Sequence, residues 1–130
     1  MTRILLVDDS KTIRRALSAA IGRESESPIE IVEAADAGEA IAAFCRTKPD
    51  AVFLDMMLSP GESGLEAQRA IMNESPDARI VVVTALSPDD PKVVAAASIG
   101  ALAYLQKPVH ATAIRHVLRT LVNAAAGRFS

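Results

Sequence analysis

The chain has 130 residues, half of them hydrophobic but only 3% aromatic, and a formal net charge of −2. That length suits one domain with a full core, which must be built from Ala, Val, Ile and Leu rather than from rings. The slight acidity excludes the basic footprint of a nucleic-acid binder and the polybasic patch of a protein drawn to anionic lipid.

The N-terminus, Met1-Thr2-Arg3-Ile4-Leu5-Leu6-Val7-Asp8, is too short and too soon acidic for a signal peptide. No apolar stretch approaches the roughly 20 residues of a transmembrane helix. The first predicted strand, about 3–8, ends in Asp8-Asp9, and a helix over 11–24 follows. That helix turns Ile13, Leu17, Ala20 and Ile21 inward and Arg14, Arg15, Ser18 and Arg23 outward. A strand over 29–34 and a helix over 37–47 come next. The helix carries Cys45 beside Phe44, which reads as a core position, and a lone cysteine fits a reducing, cytoplasmic compartment.

The third strand, 51–55, is the apolar run Ala51-Val52-Phe53-Leu54 closed by Asp55, and a helix over 64–74 follows. The fourth strand, 79–84, ends in Thr84-Ala85. The next helix, 89–99, is almost wholly small and apolar around Lys92-Val93-Val94-Ala95-Ala96-Ala97, so it is either deeply packed or part of a surface for a partner. The fifth strand, 102–106, runs into Lys107-Pro108. The last helix, 111–125, stripes Ile114, Val117, Leu118, Leu121 and Val122 opposite Arg115, His116, Arg119 and Asn123. Pro or Gly punctuates most joints. Strict alternation of five strands and five helices predicts a parallel sheet with helices on both faces, in one domain over 1–130 with a core of about 3–124 and a tail from 125.

In an open sheet of this kind ligands bind at the carboxyl ends of the strands. Two apolar strands ending in acid bring Asp8, Asp9 and Asp55 together, and like charges that close resist joint ionisation unless a cation neutralises them. Oxygen-only donors point to a hard cation, Mg²⁺ first. A carboxylate beside such an ion can attack a phosphoryl group, because the metal shields anion from anion. The plainer alternatives are helix caps for Asp8 and Asp9, a β-branched strand residue for Thr84 and a solvated turn lysine for Lys107.

Four motifs in order, Leu5-Leu6-Val7-Asp8-Asp9-Ser10, Leu54-Asp55-Met56-Met57, Val83-Thr84-Ala85 and Gly100-Ala101-Leu102-Ala103-Tyr104-Leu105-Gln106-Lys107-Pro108, resemble the response-regulator receiver domain of two-component signalling, the CheY-like family. The resemblance covers Ile4 to about Val122. It implies a doubly wound, flavodoxin-like five-stranded sheet of order 2-1-3-4-5. It implies Asp55 as phosphoacceptor from a histidine kinase or phosphotransfer protein, with Mg²⁺ held by Asp8, Asp9, Asp55 and the Met57 backbone carbonyl. Thr84, Ala85 and Lys107 then face the phosphoryl group, Tyr104 is the switch aromatic, and Lys107-Pro108 is a cis peptide. The output would pass through helix 89–99, strand 102–106 and helix 111–125 to a protein partner or a second copy. Neither nucleic acid nor membrane is implied as a direct partner, and the chain is a signalling phosphoacceptor rather than an enzyme on a separate substrate.

This sequence departs from the family pattern in three places. Pro60 and Gly64 each come one residue later than usual after the acceptor, so the loop carries an extra residue, with Ser59 the candidate. Val109 stands where phenylalanine is common, and Ala37 precedes Gly38 where the second strand-to-helix turn has its glycine. A flavin-binding electron carrier would need a phosphate cradle after the first strand, where Asp8-Asp9 stands instead. An aspartyl-phosphate phosphatase would want an acid where Met57 is. The short stretch Ala124-Ala125-Ala126-Gly127-Arg128-Phe129-Ser130 at the end of the last predicted helix leaves no output domain, which favours a single-domain regulator over the receiver part of a longer transcription factor, hybrid kinase or output enzyme.

Overall fold

The structure, a computed structural model, describes residues 2–58 and 63–128, with 122–128 described as backbone alone. Strands β1 (Thr2–Val7), β2 (Ile29–Ala34), β3 (Ala51–Leu54), β4 (Ile80–Thr84) and β5 (Ala103–Gln106) alternate with helices α1 (Lys11–Glu24), α2 (Ala37–Thr47), α3 (Gly64–Glu74), α4 (Pro91–Ile99) and α5 (Ala111–Arg128). All the strand pairs are parallel, in the order β2-β1-β3-β4-β5.

The short apolar runs form the inner strands because both of their faces are buried. Side chains alternate across a strand, so Ile4, Leu6, Phe53, Val81 and Val83 meet Leu17, Ile21, Ile114, Val117 and Leu121 of α1 and α5. Leu5, Val7, Val52, Leu54, Ile80 and Val82 meet Ala40, Phe44, Ala67, Ile71 and Ala96 of α2, α3 and α4. Each face is a separate apolar layer, and with few rings it is filled mainly by aliphatic side chains. Gln68 is fully buried in the second layer and donates from Nε2 to the Ala96 carbonyl at 2.9 Å, tying α3 to α4. Among the described residues no helix is long and apolar enough to cross a membrane.

The boundaries differ from the sequence reading where caps decide them. Helix α4 begins at Pro91 rather than 89, because Asp90 is extended and its side chain accepts from the Lys92 N–H at 2.9 Å. Strand β3 stops at Leu54, leaving Asp55 beyond its end. Helix α5 runs on through Ala124-Ala125-Ala126 to Arg128 instead of giving way to a tail at 125, since alanine is the strongest helix former. Cys45 is exposed, not core. The inward stripe of α2 is Ala37, Ala40, Ala43 and Phe44, and the residue one step past Phe44 is turned about 100° away. The extra residue assigned to Ser59, and Pro60, lie outside the described residues.

Gly64 opens α3 directly against the end of β3. Its N–H donates to the Met56 carbonyl at 2.9 Å, and a Cβ placed there would stand 2.1 Å from the Asp55 carbonyl oxygen and 2.7 Å from the Met56 Cα. Both are backbone atoms, so they cannot swing aside. The expected result of Gly64→Ala is a loss of about 1–3 kcal/mol in urea-unfolding stability, the usual cost of overpacking. Wild-type stability in this variant would mean that the loop relaxes freely.

Candidate functional site

The register of the sheet assembles the site. Val7 pairs with Leu54, so the next residues, Asp8 and Asp55, emerge side by side at the carboxyl edge. The Asp55 N–H donates to the Val7 carbonyl at 3.1 Å, which fixes that junction. Thr84 pairs with Gln106, and the Lys107 N–H donates to the Thr84 carbonyl at 2.9 Å, bringing Lys107 to the same edge.

Asp8 and Asp55 are 2% and 6% exposed. Lys107 Nζ donates to Asp55 Oδ2 at 2.8 Å and to Asp8 Oδ2, so one ammonium joins the ends of three strands. Each carboxylate keeps its other oxygen on a backbone N–H. Asp8 Oδ1 accepts from Ser10 at 2.9 Å and Asp55 Oδ1 from Met57 at 3.1 Å. Burial acts to lower the Lys107 pKa, but the hydrogen bonds to Asp55 and Asp8 and their charges outweigh it and hold it above the ordinary lysine value. Lys107 is therefore a fixed positive charge throughout the neutral range. The Lys107-Pro108 peptide bond is cis.

Of the three carboxylates expected at this edge, Asp8 and Asp55 are the two that the Lys107 ammonium joins. Asp9 is exposed, and among the described residues no three acidic, histidine or cysteine side chains gather into a metal-binding group. Asp9 follows the buried Asp8 at the solvent-exposed rim of the same edge. Even so, Asp8 and Asp55 bring two negative charges against one ammonium. The remaining charge, Asp9 beside it and the Met57 carbonyl together make an oxygen-only donor set suited to a hard divalent ion.

Thr84 is 1% exposed, and its Oγ1 lies 3.5 Å from the Leu86 N–H that donates to it. Ala85 is exposed beside it and leaves the edge open. Met57 is half-exposed at the rim. Tyr104, half-buried on β5, donates its hydroxyl to the Leu86 carbonyl in the loop that follows Thr84. Thr84 and Tyr104 thus hold the two polar groups of one residue, which links the acid edge to β5. Two residues escaped the sequence reading. Arg14 is not on the outer face but lies folded over the end of β1, where Nη1 donates to the Asp8 carbonyl at 2.5 Å. Gly64 was noticed for its spacing, but its role as the backbone rest beneath Asp55 depends on a contact that spacing does not reveal.

Residues 4–119 match the response regulator receiver domain family. The chain is 35% identical over 120 residues to the transcriptional regulatory protein LiaR of Bacillus subtilis, covering 92% of this chain and 55% of that protein. It is 41% identical over 107 residues to protein-glutamate methylesterase/protein-glutamine glutaminase 4 of Myxococcus xanthus, covering 82% of this chain and 30% of that protein. The chain thus spans about half or less of these relatives. The crystal structure of a LuxR-family two-component response regulator from Aurantimonas sp. SI85-9A1 superposes with a TM-score of 0.83 at 33% identity, covering 95% of this chain and 87% of that one.

The Tyr104 phenol is held above its ordinary pKa by partial burial first and by the charge of Asp89 second. Its stabilising contribution is therefore complete below the unfolded value of about 10 and is lost as pH rises through the folded value. Ultraviolet titration of this single tyrosine should place its midpoint above that of free tyrosine. Asp89→Asn should remove only the smaller part of the difference. A midpoint at or below the free value would contradict the packing described for Tyr104.

Proposed function

The chain belongs to the response regulator receiver domain family, and from that premise we propose that Asp55 is the phosphoacceptor of a two-component system, loaded by a histidine kinase or phosphotransfer protein. The observation that carries the reading is the single ammonium of Lys107 joined to both Asp8 and Asp55. A carboxylate held at a strand end by a backbone N–H, with a fixed cation beside it, is a prepared nucleophile toward phosphorus. In the transfer, an Asp55 oxygen forms the new bond to phosphorus as the bond to the donor nitrogen breaks, and the donor imidazole leaves with that electron pair. Lys107 then accompanies the phosphoryl oxygens as a point charge, and the Thr84 hydroxyl supplies a donor from β4. Asp8, Asp9, Asp55 and the Met57 carbonyl would hold Mg²⁺, whose charge offsets the repulsion between carboxylate and phosphoryl group.

The output reading rests on α4 and its neighbours. Helix α4 packs Val93 and Ala96 inward but leaves Val94 half-exposed, and Leu102 is exposed just before β5. We take α4, β5 and α5 as the surface that meets a downstream protein or a second copy. Movement of Thr84 toward a phosphoryl group would release Leu86 and let Tyr104 repack, a shift between two packings of one fold. Direct nucleic-acid contact is not part of the proposal. Arg3, Arg14, Arg115 and Arg119 are each paired, with Glu30, Glu33, Glu24 and Glu26, so they offer no unopposed basic face. We also propose a cytoplasmic setting and a signalling rather than an enzymatic role. A second reading, a receiver within a longer transcription factor, hybrid kinase or output enzyme, is favoured by the fraction of the relatives that this chain spans.

With Mg²⁺ and acetyl phosphate, the protein should gain one acid-labile phosphoryl group, seen as a single mass increment. EDTA or Asp55→Asn should reduce labelling to background, and labelling of Asp55→Asn at the wild-type rate would sink the assignment. Thr84→Ala should still accept phosphate, yet amide chemical shifts on α4 and Tyr104 should respond far less to beryllofluoride than in the wild type. Equal responses would remove Thr84 from the switch.

A further inference from the structure

The pairing of β1 with β2 runs from Thr2↔Ile29 to Val7↔Ala34, and its last rung is the Asp8 N–H donating to the Ala34 carbonyl at 3.1 Å. Beyond that rung β2 ends and the chain turns into α2, with the Ala35 N–H donating to Glu39 Oε2 at 2.7 Å. The Asp8 carbonyl is held instead by a side chain from α1. Arg14 Nη1 donates to it at 2.5 Å while Nε donates to Glu33 Oε1 at 3.0 Å. The arginine side chain is only 12% exposed, and its guanidinium is held on two sides, by the Asp8 carbonyl and by the Glu33 carboxylate.

The peptide that Arg14 grips is the one joining Asp8 to Asp9, and its plane sets the direction in which Asp9 leaves the strand. We infer that Arg14 is a positioning residue for the acid edge, acting as a substitute for the missing sheet rung and thereby setting how well Asp8 and Asp9 take a divalent cation. The inference rests on the proposed cation site. It uses the guanidinium for its shape and not for its charge, and the two have opposite consequences. A positive charge near the edge repels a cation, so its removal alone would tighten binding. Loss of the planar two-point grip loosens Asp9 and weakens binding. Lysine keeps the charge and loses the fork, which separates the two effects.

The test is a Mg²⁺ titration of the full chain, without phosphodonor, followed by amide chemical shifts at Asp8, Asp9 and Asp55. The proteins compared are wild type, Arg14→Lys, Arg14→Met and Glu33→Ala, each checked for folding by thermal melting. Arg14→Lys and Arg14→Met should both bind Mg²⁺ about tenfold more weakly, the low end of the effect for groups that orient metal ligands. Glu33→Ala, which frees one arm of the fork, should weaken binding by a smaller factor. Wild-type affinity in Arg14→Lys, or tighter binding in Arg14→Met, would overturn the inference while leaving the cation site standing. Absence of Mg²⁺ shifts in the wild type would instead remove the site itself, and the inference with it. Should both Arg14 variants fail to fold, Glu33→Ala decides, and unchanged affinity there counts against the role.

Discussion

The constraint on which this site depends is the sharing of one ammonium between two nearly buried carboxylates. Asp8 and Asp55 follow neighbouring strands, and two carboxylates this buried and this close need a cation between them to offset their repulsion and the cost of burial. Lys107 supplies it from β5, on the far side of β4. The same arrangement stores reactivity. Two acids against one lysine leave negative charge at the edge, and each acid is aimed by a backbone N–H rather than by mobile side chains. The proposed cation and phosphoryl roles would use a site already held in place by the sheet.

That rigidity is inherited from the two apolar layers beneath it. Every residue of β3 and β4 is buried on one face or the other, so neither strand can slip by one position without turning its core side chains into the wrong layer. Register therefore fixes Asp55 beside Asp8 and Lys107 beside Thr84. Gly64 adds a local restraint, since α3 begins in backbone contact with Asp55 and Met56. Asp55 is thus braced on one side by β1 and on the other by the first residue of a helix.

The acid edge and β5 are joined through one residue: Thr84 accepts from the Leu86 N–H and Tyr104 donates to the Leu86 carbonyl. Helix α4 lies alongside, held to α3 by the buried Gln68 amide and to solvent by little more than small apolar side chains. Its Val94 is exposed, and its inner Val93 and Ala96 keep the helix in place.

The alternation of apolar runs and helical stripes was enough to place all five strands and five helices, because period 2 and period 3.6 are local properties of a chain. The acids, Thr84 and Lys107 were legible for a related reason. Each directly follows or ends an apolar run, and strand ends in such a sheet gather at one edge. The sequence by itself therefore determined the architecture and which residues stand at the carboxyl edge. It misjudged Cys45, where a one-residue step around a helix decides exposure, and it left Arg14 on the outer face. Only the tertiary structure decided that Asp8 is buried while Asp9 stays exposed, that Lys107 bridges both buried acids, that Gly64 rests on the Asp55 backbone and that Arg14 grips the Asp8 carbonyl. These are contacts between groups far apart in the chain or aimed by individual torsions, and a pattern of residue types carries neither distance nor direction.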